Sequence, residues 1–121
     1  MRLKNPMKTV VIYHNPRCSK SRQALEILKS HNIEPTIVEY LKTPLNLEKL
    51  DELRSFFDLK DFVRTNESVF TQLQLTLDDE KRVLHAMINE PILMQRPIVT
   101  SSGKAIIARS PEKLLEWMET L

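Results

Sequence analysis

The chain has 121 residues, 41% of them hydrophobic and 28% charged, which describes one globular domain with a buried core rather than a disordered chain. Eighteen Lys and Arg against 16 Asp and Glu leave a net charge of +2, so the whole chain carries no polyanion signal and no nucleic-acid partner is expected. One glycine, Gly103, excludes phosphate and dinucleotide loops, which need two or three; one cysteine, Cys18, excludes an internal disulfide and any cysteine-rich metal centre.

Residues 1–8 read as an N-terminal extension that can be disordered, and 9–121 as a single domain. Thr9–Tyr13 is a β-branched apolar run, a buried strand that ends at the turn signal His14-Asn15-Pro16. Ser19–His31 carries Ala24, Leu25, Ile27 and Leu28 at helical spacing, and Asn32 can close that helix in a left-handed conformation. Pro35–Tyr40 reads as a second strand, parallel to the first across a right-handed crossover. A helical insertion covers about residues 45–92. In it Leu47, Leu50, Leu53 or Arg54, and Phe57 mark one amphipathic segment after Pro44, Leu59–Leu75 a helical stretch, and Val83, Leu84, Met87 and Ile88 another stripe. That last helix is entered through Thr76-x-x-Asp79, a capping-box pattern, and stops before Pro91. Pro97–Thr100 and Lys104–Ala108, separated by Ser-Ser-Gly, predict a hairpin. Ser110-Pro111 starts a final helix whose core face is Leu114, Leu115, Met118 and Leu121. The order βαβ, helices, ββα is that of an α/β, thioredoxin-like domain with a helical insertion between the second and third strands.

No apolar run approaches the ~18 residues of a membrane span. The N-terminus lacks the hydrophobic stretch of a secretory signal, and the cytoplasm is the expected compartment. Three scattered histidines and one cysteine give no metal site, and no tightly bound cofactor is expected; His31 and His85 read as structural.

Cys18 is the focus of the chemistry. Nothing from His14 to Gln23 is aliphatic or aromatic, so nothing local carries the sulfur into a core. It falls where a strand hands over to a helix, and the unpaired amides and dipole of a helix start lower a thiol pKa. Arg17, Lys20 and Arg22 are expected to add positive potential, and His14, across the turn, to assist the thiolate. A tyrosine-phosphatase loop would need arginine at position 24, which is Ala24, and a dithiol motif would need cysteine at 21, which is Ser21. With one thiol, the partner sulfur of a two-electron reduction must come from glutathione or another protein. Arg64, Arg96 and Arg109 stand out by position, and guanidiniums around a thiolate suit a tetrahedral oxyanion.

Tyr13-His-Asn-Pro-Arg-Cys-Ser-Lys-Ser-Arg22, Glu34–Leu41, Phe62–Glu67, Pro91–Val99 and Gly103–Glu112 together resemble the ArsC-type arsenate reductase family, in its shorter YfgD-like branch. The resemblance implies reduction of arsenate to arsenite, with Cys18 as nucleophile and His14 and Ser21 tuning its ionisation. It implies further that Arg64, Arg96 and Arg109 bind the oxyanion, that Pro97 is the fold's cis proline, and that glutathione and glutaredoxin complete the cycle. Two alternatives stay open. One is a general one-cysteine thiol oxidoreductase of the glutaredoxin kind. The other is an Spx-type transcription regulator binding RNA polymerase, against which Ser21 stands, since that switch uses Cys-x-x-Cys.

Overall fold

A computed structural model describes residues 9–121; the extension read over 1–8 lies outside the described residues. The chain divides into two compact units, one built from the segments up to Val38 and from Arg96 to Leu121, the other from Glu39–Gln95.

The first unit holds β1 (Val10–Tyr13), α1 (Ser19–Ser30), β2 (Thr36–Val38), β3 (Ile98–Ser101), β4 (Lys104–Ile107) and a C-terminal helix, α6 (Pro111–Met118). The four strands form one sheet in the order β2-β1-β3-β4. β1 pairs parallel to β2, Ile12 opposite Ile37, and antiparallel to β3, where Ile12 faces Val99. β3 and β4 are antiparallel, with Val99 opposite Ile106, and the turn between them places Ser102 and Gly103 at φ 51° and 77°. This is the thioredoxin-like arrangement.

Strand alternation sets the core of this unit. Val10 and Ile12 of β1 and Val99 of β3 share a cluster with Ala24 and Leu28 of α1, Ala108, and Leu114 of α6, so both helices pack on one sheet face. Ser110 caps α6, its hydroxyl accepting from the Lys113 amide with Pro111 in the first turn. Of the four residues assigned to the core face of α6, Leu115 is exposed instead: it adjoins Leu114 in sequence, and a helix turns about 100° per residue. Asn32 adopts φ 63°, closing α1 as its sequence position suggests. β2 is shorter than the Pro35–Tyr40 run, because the chain turns at Glu39, whose carbonyl accepts from the amides of Lys42 and Thr43.

The second unit is helical: α2 (Leu47–Arg54), α3 (Leu59–Phe62), α4 (Ser68–Gln72), α5 (Glu80–Asn89) and a 3-10 turn at Pro91–Leu93. Leu50 and Leu53 of α2, and Val83, Leu84 and Met87 of α5, are buried, while Leu47, at the first position of α2, is exposed. The expected helical stretch over Leu59–Leu75 is broken into α3 and α4. Val63 is extended and bridges Met94, the Arg64 amide donates to the Leu93 carbonyl at 2.7 Å, and the Gln95 amide to that of Phe62 at 2.9 Å. Those backbone groups find cross-chain partners and leave the helical ladder. At α5 the cap is Asp79, which accepts from the Arg82 amide at 3.2 Å; Thr76 closes a local turn on Asp78. The capping-box pattern therefore marks the right entry with the wrong capping residue. Among the described residues, no helix is long and apolar enough to cross a membrane.

Candidate active site

The site begins where β1 stops. The His14 amide still donates to the Val38 carbonyl of β2 at 2.8 Å, and the chain then turns. Asn15 organises the turn: its Oδ1 accepts from the Arg17 amide at 3.0 Å and its carbonyl from the Cys18 amide at 3.0 Å. Cys18 follows as the N-cap of α1, with extended backbone (φ −96°, ψ 123°), and its carbonyl accepts the first helical bond, from Arg22 at 3.0 Å.

No side chain hydrogen-bonds the first turn of α1 as a cap, and no acidic residue occupies that turn, so its amides are left for an anion. The anion they meet is the Cys18 sulfur itself. Cys18 is a free, half-buried cysteine, and its thiol pKa lies below the ordinary value. Burial, the largest single influence, pushes the thiol up. It is outweighed by the Ser21 amide, then the Arg96 side chain as hydrogen-bond donor, the Lys20 amide and the Arg96 charge, all of which favour the thiolate. The sulfur thus lies on the side of the N2 and N3 amides, and their lowering of its pKa favours the anion without the full cap hydrogen bond that a serine or aspartate oxygen makes.

This corrects the expected source of positive charge. The cation that acts most strongly on the sulfur is Arg96, distant in the sequence, ahead of the exposed side chains of Arg17, Lys20 and Arg22. Arg22 instead donates from Nη1 to the Pro16 carbonyl at 2.9 Å, and Arg17 and Lys20 are exposed. Lys20 acts through its amide.

His14, Asn15 and Ser21 form a buried network beneath the turn. The Asn15 amide donates to Ser21 Oγ at 3.0 Å, and that oxygen lies 2.6 Å from His14 Nδ1. The amide can only donate, so Ser21 Oγ accepts from Asn15; which partner of the Ser21–His14 pair donates is set by the imidazole tautomer. Ser21 therefore reaches the sulfur through its amide and His14 through its hydroxyl. Between them the two side chains lock strand end to helix start.

Arg96 precedes Pro97 across a cis peptide bond, and Arg109 donates from Nη1 to the Arg96 carbonyl at 2.7 Å. Cys18, His14, Ser21, Arg96 and Arg109 are all in the first unit. Arg64 belongs to the second, where its Nε donates to Glu67 Oε2 at 2.9 Å and its Nη1 to Gln95 Oε1 at 3.4 Å. The residues that sequence reasoning passed over are Asn15, Glu67 and Gln95. The Asn15-Pro16 turn signal pointed to the first, but nothing local marks the other two as partners of Arg64.

The ArsC family model matches residues 13–117. Protein YfgD of Escherichia coli strain K12 is 42% identical over 114 residues, covering 90% of this chain and 96% of that one. The arsenate reductase of Neisseria meningitidis serogroup B is 36% identical over 114 residues, covering 89% and 97%. Among solved structures, an arsenate reductase from Vibrio cholerae superposes with a TM-score of 0.81 at 36% identity, covering 89% of this chain and 96% of that one.

Proposed function

The chain belongs to the ArsC family, and from that premise we propose that it reduces arsenate to arsenite, with Cys18 as the nucleophile and glutathione and glutaredoxin as the completing thiols. The observation that carries this reading is the placement of Cys18 as the N-cap of α1, where the first-turn amides and Arg96 lower its pKa and favour the thiolate. A thiolate is the attacking form of cysteine, and the groups that hold it charged also favour an oxyanion beside it.

In the first step the Cys18 sulfur bonds to arsenic and one arsenate oxygen leaves as water, giving a Cys18–S–As(V) adduct. Glutathione then attacks the Cys18 sulfur. An S–S bond forms, the S–As bond breaks, and its electron pair stays on arsenic, which leaves as arsenite, As(III). Two thiols have supplied two electrons, and Cys18 ends as a mixed disulfide with glutathione. A glutaredoxin thiolate takes the glutathionyl group and returns Cys18 as a thiol. A lone cysteine needs this external second sulfur, because Ser21 stands where a resolving thiol would be. Arg96 both favours the thiolate and faces the negative charge of the arsenate oxygens. Arg109 holds the Arg96 carbonyl and offers its remaining donors to the anion. Arg64 is the third oxyanion ligand that family membership suggests.

The test is arsenite formation by the purified chain given arsenate, glutathione and glutaredoxin. The wild type is expected to turn over and Cys18→Ser to be inactive. Full turnover by Cys18→Ser refutes the nucleophile, and no turnover by the wild type refutes the substrate.

A further inference from the structure

Arg64 is held from behind. Its backbone is fixed where Phe62–Arg64 runs antiparallel to Leu93–Gln95, with Val63 bridging Met94 and the Arg64 amide on the Leu93 carbonyl. Its side chain is 15% exposed, and Glu67, whose carboxylate takes Nε at 2.9 Å, is 23% exposed. Glu67 is fixed in turn: its amide donates to the Arg64 carbonyl at 3.2 Å, and its backbone is the N-cap of α4. Gln95, on the opposing segment, accepts from Nη1 at 3.4 Å. A guanidinium has five N–H donors in a rigid fork, and these two contacts use one on Nε and one on Nη1. Among the described residues nothing accepts from Nη2, so the end of the fork that can bind a second anion is the end left open.

We infer that Glu67 is a positioning residue, assisted by Gln95, that aims the open edge of the Arg64 guanidinium at an incoming tetrahedral oxyanion. The inference rests on the oxyanion role given to Arg64 in the proposed function and adds the device that makes that role geometric. An exposed, freely rotating arginine would lose rotamer entropy on each binding event; this one has been ordered before the anion arrives. Glu67 acts through the hydrogen bond it accepts. Its negative charge works against anion affinity, so an uncharged acceptor of the same shape serves as well.

The experiment uses the full chain with arsenate, reading KM and kcat in the coupled assay and arsenate affinity directly by calorimetry. Glu67→Ala is expected to raise KM and Kd together, on the order of three- to tenfold, the scale of one misaligned charged hydrogen bond, with kcat within about twofold. Glu67→Gln, whose amide oxygen still accepts from Nε, is expected to restore both to within about twofold of wild type. Arg64→Ala weakens arsenate at least as far, and adding Glu67→Ala to it changes nothing further, because Glu67 works only through Arg64. If Arg64→Ala binds arsenate normally, the oxyanion role of Arg64 falls and the inference with it. If Arg64→Ala weakens binding but Glu67→Ala does not, only the positioning role is overturned. Equal losses for Glu67→Ala with and without Arg64 also overturn it. Should Glu67→Ala fail to fold, Gln95→Ala decides: a raised arsenate Kd supports the clamp, an unchanged one refutes it.

Discussion

Replacing Arg96 by methionine removes a charged hydrogen-bond donor from beside the Cys18 sulfur while keeping most of the side-chain volume. Two unit charges ~4 Å apart interact by roughly 1 kcal/mol in water and about 4 kcal/mol at the intermediate dielectric of a protein surface. Cys18 is half-buried, so screening places the Arg96 interaction near the lower figure. A loss of about 1 kcal/mol lowers the thiolate-to-thiol ratio roughly fivefold at any pH below the thiol pKa. The sign follows from the direction of the native shift. Arg96 favours the anion and holds the pKa down, so removing it moves the midpoint up. With a single cysteine in the chain, whole-protein mass spectrometry after timed iodoacetamide exposure reads Cys18 alone. The rate-versus-pH curve of Arg96→Met is expected to move to higher pH, with about a fivefold slower rate on its acid limb and an unchanged alkaline plateau. Arg17→Gln and Lys20→Gln, whose charges are exposed and screened by water, are expected to move the midpoint less than Arg96→Met does. An unmoved midpoint in Arg96→Met, or a larger movement in Arg17→Gln or Lys20→Gln than in Arg96→Met, would refute the assignment.

Ser21→Ala removes a fully buried hydroxyl that serves the Asn15 amide and His14, and is expected to cost about 1–3 kcal/mol in urea unfolding. Because the Ser21 amide survives, the alkylation midpoint should move less than in Arg96→Met; a larger movement would show the hydroxyl itself acting on the sulfur. Ser101 presents the opposite case, since its Oγ is buried in β3 with no hydrogen-bond partner among the described residues. Ser101→Ala is expected to stabilise the chain by about 1 kcal/mol in the same measurement, and a loss of that size would show the hydroxyl to be satisfied.

The parts of the fold that the sequence foretells are those in which one local rule decides. β1 is a β-branched run that a sheet centre demands, the Ser110-Pro111 pair satisfies the two requirements of a helix start, and Ser-Ser-Gly supplies the positive φ values of the β3–β4 turn. Where a distant partner competes with the local rule, the pattern misleads. Leu59–Leu75 has helical spacing, yet Val63 and Arg64 give their hydrogen-bonding groups to Leu93–Gln95, some thirty residues on, and no window over 59–75 contains that information. Leu47 shows a weaker form of the same limit: it satisfies the helical period but lies in the first turn of α2, where the stripe has no neighbour to bury it.

At the site the same distinction separates what Cys18 needs from what it receives. A strand end followed by a polar stretch and a helix requires unpaired amides at that point whatever the rest of the chain does, so the position of the thiolate can be inferred from ten residues. The counter-charge has no such local necessity. Arg17, Lys20 and Arg22 adjoin Cys18 in sequence, but a side chain in the first turn of a surface helix reaches water at less cost than it reaches a half-buried sulfur, and these three are exposed. Arg96 has the opposite situation. It stands at the head of β3, which pairs with β1 so that Ile98 lies opposite Tyr13, and that pairing carries the start of β3 to the end of β1, where the turn to Cys18 begins. Sheet register delivers the cation, so slipping β3 by one residue would remove it from the sulfur while leaving every residue of the Cys18 loop unchanged.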